Sequence, residues 1–175
     1  VLHFGYHFSL FMDHVFDCLI KTYGPVVELA EKYRLPIGIE NMNKIHEEAE
    51  IAYLGVTVEE MKRVMDVIPS KYFGLTLDIA HASLLPGGPE AFIDAFPDRI
   101  ISTHVSDNDM VLDRHVPVGD GKIDFKRVFK NLMKVGFTGT LNIELPRSNE
   151  DRALSKRRLE PILAELGILE QALKP

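Results

Sequence analysis

The chain has 175 residues, enough for one domain with a substantial core, and its 46% hydrophobic and 26% charged content is that of an ordinary globular protein. A formal net charge of −6 makes it a poor general polyanion binder, which argues against non-specific nucleic-acid binding. The single cysteine, Cys18, excludes an internal disulfide and any cysteine-rich metal site. No apolar stretch approaches the roughly 18 residues needed to span a membrane. The opening VLHFGYH lacks the basic start of a signal peptide, so a cytoplasmic protein is expected. The text opens on Val1 and reads at once as a strand, so the natural chain is expected to begin further upstream.

In chain order, VLHFG (1–5) is the first predicted strand. A helix follows over about 11–33, with Val15, Cys18, Leu19, Val26, Val27 and Leu29 as its apolar positions. Cys18 lies in the apolar run VFDCLI and reads as a buried, inert thiol. LPIGIE (35–40) is the second strand. Thr57, with Glu60 three residues on, is a capping-box start for a helix over about 57–67. YFGLTLDIA (72–80) is a strand, and a short helix over 88–96 follows Pro86-Gly87-Gly88. RIISTHV (99–105) is the fourth strand. Asp124 caps the helix DFKRVFKNLMKVG, which stops at Gly136. GTLNIEL (139–145) is the last strand, followed by a helix over about 149–173 with a break expected at Pro161.

The strands are apolar through most of their length rather than alternating. Parallel strands covered on both faces read this way. A βα unit repeats five times, with strand starts at 1, 35, 72, 99 and 139. The class is α/β, either an open doubly wound sheet or part of a (β/α)8 TIM-type barrel. No G-x-G-x-x-G follows the first strand, which removes support from the dinucleotide-binding version. One domain spans residues 1–175.

The strand ends carry the chemistry. The five strands finish at His3, Glu40, Asp78, His104 and Glu144. Asp and Glu number 26 and His 7 among 175 residues, so five such endings in succession are not expected by chance. In parallel α/β folds the C-terminal strand ends share one mouth, where active sites are built. Three carboxylates crowded there repel one another, and a divalent cation removes that cost. Their oxygens and an imidazole suit Mn2+, Mg2+, Co2+ or Zn2+.

The loop DRHVPVGDG (113–121) brings Asp113 and His115 to the same mouth, with His81 from the segment after Asp78. His3, His81, Asp113 and His115 form a second set, for another metal or for a substrate's polar end. Arg114 is placed to bind an anionic group such as phosphate. Gly119 and Gly121 read as turn-makers rather than a phosphate cradle. His7, His14 and His46 read as surface or helix residues, Glu47, Glu48 and Glu50 as a solvated acidic run. Lys122, Lys126, Arg127 and Lys130 read as helix surface.

The pieces HFG (3–5), IEN (39–41), LDIAH (77–81), HVSDN (104–108), DRHVPVGDGKIDF (113–125) and NIEL (142–145) resemble, in order and spacing, the xylose isomerase-like TIM barrel superfamily. That superfamily includes sugar phosphate isomerases/epimerases and apurinic endonucleases of the endonuclease IV type. The resemblance implies an eight-stranded barrel of which about five C-terminal units are present and the first three are missing. It implies a divalent metal on Glu40, Asp78, His104 and Glu144. In the epimerase branch Glu40 and Glu144 also act as acid and base, and His81 contacts substrate. In the endonuclease branch three zinc ions are held: by His3 and Glu40; by Asp78, His104 and Glu144; and by His81, Asp113 and His115. The endonuclease's Gly-Gln-Gly after the IEN-type strand is replaced here by MNKIHEEAE, and the D-x-H-x-P-x-G-x-G loop resembles the isomerase branch more closely.

The expected function is therefore a metal-dependent sugar or sugar-phosphate isomerase/epimerase acting by proton abstraction α to a carbonyl. The first alternative is zinc-dependent phosphodiester hydrolysis at abasic DNA. The second is an inactive barrel fragment that needs another chain, since open sheet edges invite pairing. The expected partner is a small carbohydrate, with homo-oligomerisation compatible and no membrane involved.

Overall fold

A computed structural model describes residues 1–3, 6–8, 12–45, 51–146 and 148–168. His46, Glu47, Glu48 and Glu50 lie outside the described residues, as does the end of the last predicted helix. Four parallel strands form the sheet: β2 (Ile37–Glu40), β4 (Phe73–Asp78), β5 (Ile100–Val105) and β6 (Thr140–Ile143), in that spatial order. Leu2 adds a parallel bridge to Ile39 outside β2, where the first strand was predicted. Its N–H donates to the Gly38 carbonyl and its own carbonyl accepts from Glu40 N–H.

Around the sheet pack α1 (Met12–Tyr33), α2 (Val58–Val67), α3 (Ile79–Ser83), α4 (Gly88–Ala95), α5 (Phe125–Lys134) and α6 (Asn149–Glu165). Leu75, Leu77, Ile39, Met61, Val64, Phe92 and Phe129 are buried between sheet and helices. Each such side chain contributes about 1.5–3 kcal/mol by leaving water. Thr57 forms the full capping box with Glu60, and Asp124 caps α5 through Arg127 N–H, both as predicted.

An additional ribbon was not legible in the sequence: β1 (Tyr6–Phe8) pairs antiparallel with β3 (Ile51–Tyr53). Each lies in the segment that leaves a strand end on the mouth side of the sheet. Three residues are too few to show a period of two.

Two expectations are corrected. Cys18 is exposed, not buried. The inward stripe of α1 runs through Phe16, Leu19, Val27 and Ala30, and the 3.6-residue period carries Cys18 to the outer side. Nor does α6 break at Pro161; it runs through that residue to Glu165. Pro161 and Arg157, whose carbonyl loses its partner, are both exposed, so that carbonyl is on the solvent side of the helix rather than in the core. Pro25 and Lys21 repeat this arrangement in α1.

The register between β4 and β5 matters most for the site. Leu75 lies opposite Ile100, yet Thr76 lies opposite Ser102, so Ile101 is an extra, bulged residue. A one-residue shift moves every later side chain to the other face of a strand. The bulge thus sets Asp78 beside His104 on one face. Gly74 and Gly139 flank it: a Cβ on either would fall within 2.3 Å of a backbone oxygen, on Arg99 and Ile101 respectively.

Candidate metal centre

Parallel pairing and the period of two place the site residues. Glu40 lies opposite Thr76, Asp78 opposite His104, and His104 opposite Asn142, with Glu144 two residues beyond Asn142. Glu40, Asp78, His104 and Glu144 therefore project from one face, over a small polar layer where Thr76 Oγ1 and Ser102 Oγ are 2.9 Å apart. Gly38 leaves room for that layer, since a Cβ there would meet Thr76 Oγ1 at 2.1 Å.

One ligand atom from each of the four residues lies within 4.8 Å of the others. His104 Nδ1 is 2.6 Å from Glu144 Oε2, 3.2 Å from Glu40 Oε1 and 3.9 Å from Asp78 Oδ2. Although close, these atoms are not aligned as hydrogen bonds. Glu40 Oε2, Asp78 Oδ2, His104 Nδ1 and Glu144 Oε2 are all buried without a hydrogen-bond partner. One ligand atom of hard-to-borderline type from each of four residues, with Asp78 Oδ2, His104 Nδ1 and Glu144 Oε2 lacking hydrogen-bond partners, fits a divalent cation.

Second contacts aim these ligands. Asp78 Oδ1 accepts the His81 N–H as the cap of α3, which leaves Oδ2 for the cluster. Asn41 Oδ1 accepts from Asp78 N–H at 2.7 Å, and its Nδ2 donates to the Asp78 carbonyl at 3.0 Å, extending the strand pairing by a side chain. The Asn41 carbonyl lies 2.9 Å from His81 Nδ1, and an acceptor there keeps the proton on that nitrogen. His81 Nε2 then faces Asp113 Oδ2 at 3.4 Å and His115 Nε2 at 3.2 Å.

Three of the second predicted set, His81, Asp113 and His115, thus meet beside the first cluster, whereas His3 contacts Glu40. Asp78, His81 and His115 also bring ligand atoms within 4.8 Å of one another. Asp113 sits 3.0 Å from His115 Nε2 and accepts from Asn43 Nδ2, while His115 Nδ1 meets Ser106 Oγ at 3.0 Å. His3 Nε2 lies 2.6 Å from Glu40 Oε2 at the exposed rim. Arg114 is exposed and ion-paired with Asp109 at 2.8 Å, outside both clusters. His14 is exposed on α1, and His7 lies on β1. Lys126 and Arg127 pair with Glu165 and Glu90 on the helix surface. Asn41, Asn43, Ser106 and Asp107 were given no role from sequence; the only signal was the place of Asn41 inside IEN and of Ser106 and Asp107 inside HVSDN, and Asn43 carried none.

The electrostatics follow from crowding. Burial raises the Asp78 carboxyl to about 6. Burial opposes charge on His104, but Glu144 and Glu40 push it up to about 10. Burial likewise opposes charge on His81, which Asp113 and Asp78 lift to about 9. The Asp113 carboxyl is held well below its usual range by His115 and His81, against the effect of burial. Glu144 is lowered by His104. Both raised imidazoles start from an ordinary 6.5, so their stabilisation is complete below pH 6.5 and is lost as pH climbs toward about 9 and 10. Thermal melts in chelator are expected to show a falling Tm from pH 6.5 to 9, a fall that bound cation removes by taking the proton's place. A flat metal-free Tm would contradict this electrostatic picture.

Among the described residues no helix is long and apolar enough to cross a membrane. The family profile described as xylose isomerase-like TIM barrel matches residues 1–170. A crystal structure of a D-tagatose 3-epimerase-like protein superposes with a TM-score of 0.80 at 32% identity, covering 98% of this chain and 63% of that one. An uncharacterized protein of Methanocaldococcus jannaschii is 33% identical over 169 residues, 93% of this chain and 55% of its own length. The Escherichia coli L-ribulose-5-phosphate 3-epimerase UlaE is 30% identical over 100 residues, 54% of this chain and 35% of the enzyme. The chain thus spans about half to two-thirds of the longest-matching relatives, and its open parallel sheet is a partial barrel. The chain belongs to the xylose isomerase-like TIM barrel family.

Proposed function

We propose that this chain carries the catalytic mouth of a divalent-metal-dependent sugar epimerase acting at the carbon next to a ketose carbonyl. The observation that carries this reading is the convergence within 4.8 Å of one ligand atom from each of Glu40, Asp78, His104 and Glu144. The likeness to the tagatose epimerase-like protein at 32% identity supports the substrate class.

A cation on those four residues supplies Lewis-acid stabilisation of charge developing on the substrate oxygens. Glu144 is 40% exposed at the side chain and stays ionised beside His104, so it can reach a bound sugar and take its α-proton. Glu40, almost fully buried on the other side of His104, would enter the step holding a proton and give it to the opposite face, and proton exchange with solvent would then reset both carboxyls. His81, anchored on Asn41, hydrogen-bonds a sugar hydroxyl. Asp113 and His115 complete that wall, while Arg114 would have to leave its ion pair with Asp109 to meet an anionic substituent.

The neighbouring Asp78–His81–His115 cluster, with Asp113 beside it and His3 beside Glu40, favours a second reading: multi-zinc phosphodiester hydrolysis. Metal analysis by mass spectrometry separates the two. One tightly held ion per chain is expected for the epimerase. Three ions would favour the hydrolase, and none would leave an inactive fragment.

A further inference from the structure

The loop between β5 and α5 contains a buried carboxylate that none of these steps uses. Asp107 is 1% exposed. Its Oδ1 accepts N–H groups from Asn108 at 2.9 Å and Ile123 at 3.1 Å. Its Oδ2 accepts those of Gly119 at 2.9 Å and Gly121 at 3.1 Å. Four backbone dipoles thus replace the water that a buried charge would otherwise lose. The Gly-Asp-Gly turn is an anion cradle after all, and its anion is the chain's own side chain. Both glycines are required there: Gly119 has φ +86, and a Cβ on Gly121 would lie 2.3 Å from Asp107 Oδ1.

The main chain of Asp107 closes the same loop. It exchanges hydrogen bonds with Val116 at 2.9 and 2.8 Å, and Lys122 N–H donates to the Asn108 carbonyl at 2.7 Å. Residues 109–115 are therefore an excursion pinned at both ends by one residue. That excursion carries Asp113 and His115. His115 adopts φ +43, a left-handed conformation that crowds the Cβ of a non-glycine residue. Such strain persists only where the surroundings enforce it.

We propose that Asp107 is the positioning residue of the mouth. By gripping four N–H groups it holds the 109–115 excursion so that Asp113 and His115 stand against His81. The effect on turnover rests on the epimerase reading; the placement of the two rings does not.

The test is Asp107→Asn, which sets an NH2 against two of the four N–H donors. Amide exchange at Gly119, Gly121 and Ile123 is expected to quicken by about tenfold or more. The nuclear Overhauser contact between the His81 and His115 rings, whose centroids are 5.2 Å apart, is expected to disappear. Co2+ at the Glu40–Asp78–His104–Glu144 cluster should keep its visible spectrum, with an affinity changed by about threefold at most, less than loss of a direct ligand partner causes. For D-tagatose or L-ribulose 5-phosphate, KM should rise by about tenfold with a smaller fall in kcat. Gly119→Ala keeps the N–H but strains the turn, and should move each readout the same way by less if the Asn variant does not fold. A retained ring contact and unchanged KM despite faster exchange would overturn the proposal. So would loss of the Co2+ spectrum along with the contact, which would mean collapse of the whole mouth. If the unaltered chain turns over no sugar, the epimerase reading fails while the ring contact still decides the clamp.

Discussion

Glu144→Gln is expected to slow exchange of the substrate α-proton with solvent deuterium by about 10²–10⁴-fold, the usual contribution of a positioned acid or base, while the cation stays bound. The residue follows β6 directly, and its Oε2 stands 2.6 Å from His104 Nδ1. Glutamine keeps the shape and one oxygen toward the cluster but cannot take a proton. Its side chain is the more exposed of the two glutamates, 40% against 1% for Glu40, so it is the more open to a sugar entering from solvent. Exchange unchanged in the variant would sink its role as base. Metal lost along with exchange would show that the ligand role dominates, which dialysis and metal analysis on the same sample resolve.

Asp78→Asn is expected to have the opposite effect on two quantities. Cation affinity should fall by more than about 100-fold, beyond the 10–100-fold typical of residues that only orient a ligand. Asparagine can still cap His81 N–H through its oxygen, but it turns an NH2 toward the point where Asp78 Oδ2 offers a lone pair. Metal-free stability at neutral pH should instead rise. Burial raises the Asp78 carboxyl to about 6, so its charge at pH 7 is a cost to the empty fold. The stabilising form is the protonated one, complete below the ordinary 3.8 and lost as pH rises through about 6. A metal-free melt with lower Tm for the variant at pH 7, or undiminished binding, would contradict this account of the cluster.

The position of the site was legible because parallel strands send their C-terminal ends to one side. Reading five apolar runs to their last polar residue sufficed to single out Glu40, Asp78, His104 and Glu144, whose ligand atoms the fold brings within 4.8 Å of one another. Helix starts were legible where a short polar side chain meets a defined N–H, as at Thr57 and Asp124. What stayed hidden depends on contacts between distant segments. The bulge at Ile101 has no local signature, yet it puts Asp78 and His104 on one face. Asn41 looked like an ordinary residue after a strand; its work is to bind the Asp78 backbone and turn His81. Gly119 and Gly121 were read correctly as turn residues, but the reason for the turn is Asp107, twelve and fourteen residues away. Cys18 was misplaced because a continuous apolar run does not say which side of a helix faces in.

The most direct test of the account is incubation of this chain with D-tagatose or L-ribulose 5-phosphate in deuterated buffer containing Mn2+, followed by NMR of the recovered sugar. Deuterium at the carbon next to the carbonyl, gained only with divalent cation present and lost on adding chelator, is the expected result. A chain that binds one ion per molecule at the Glu40–Asp78–His104–Glu144 cluster and yet leaves both sugars free of deuterium would contradict it.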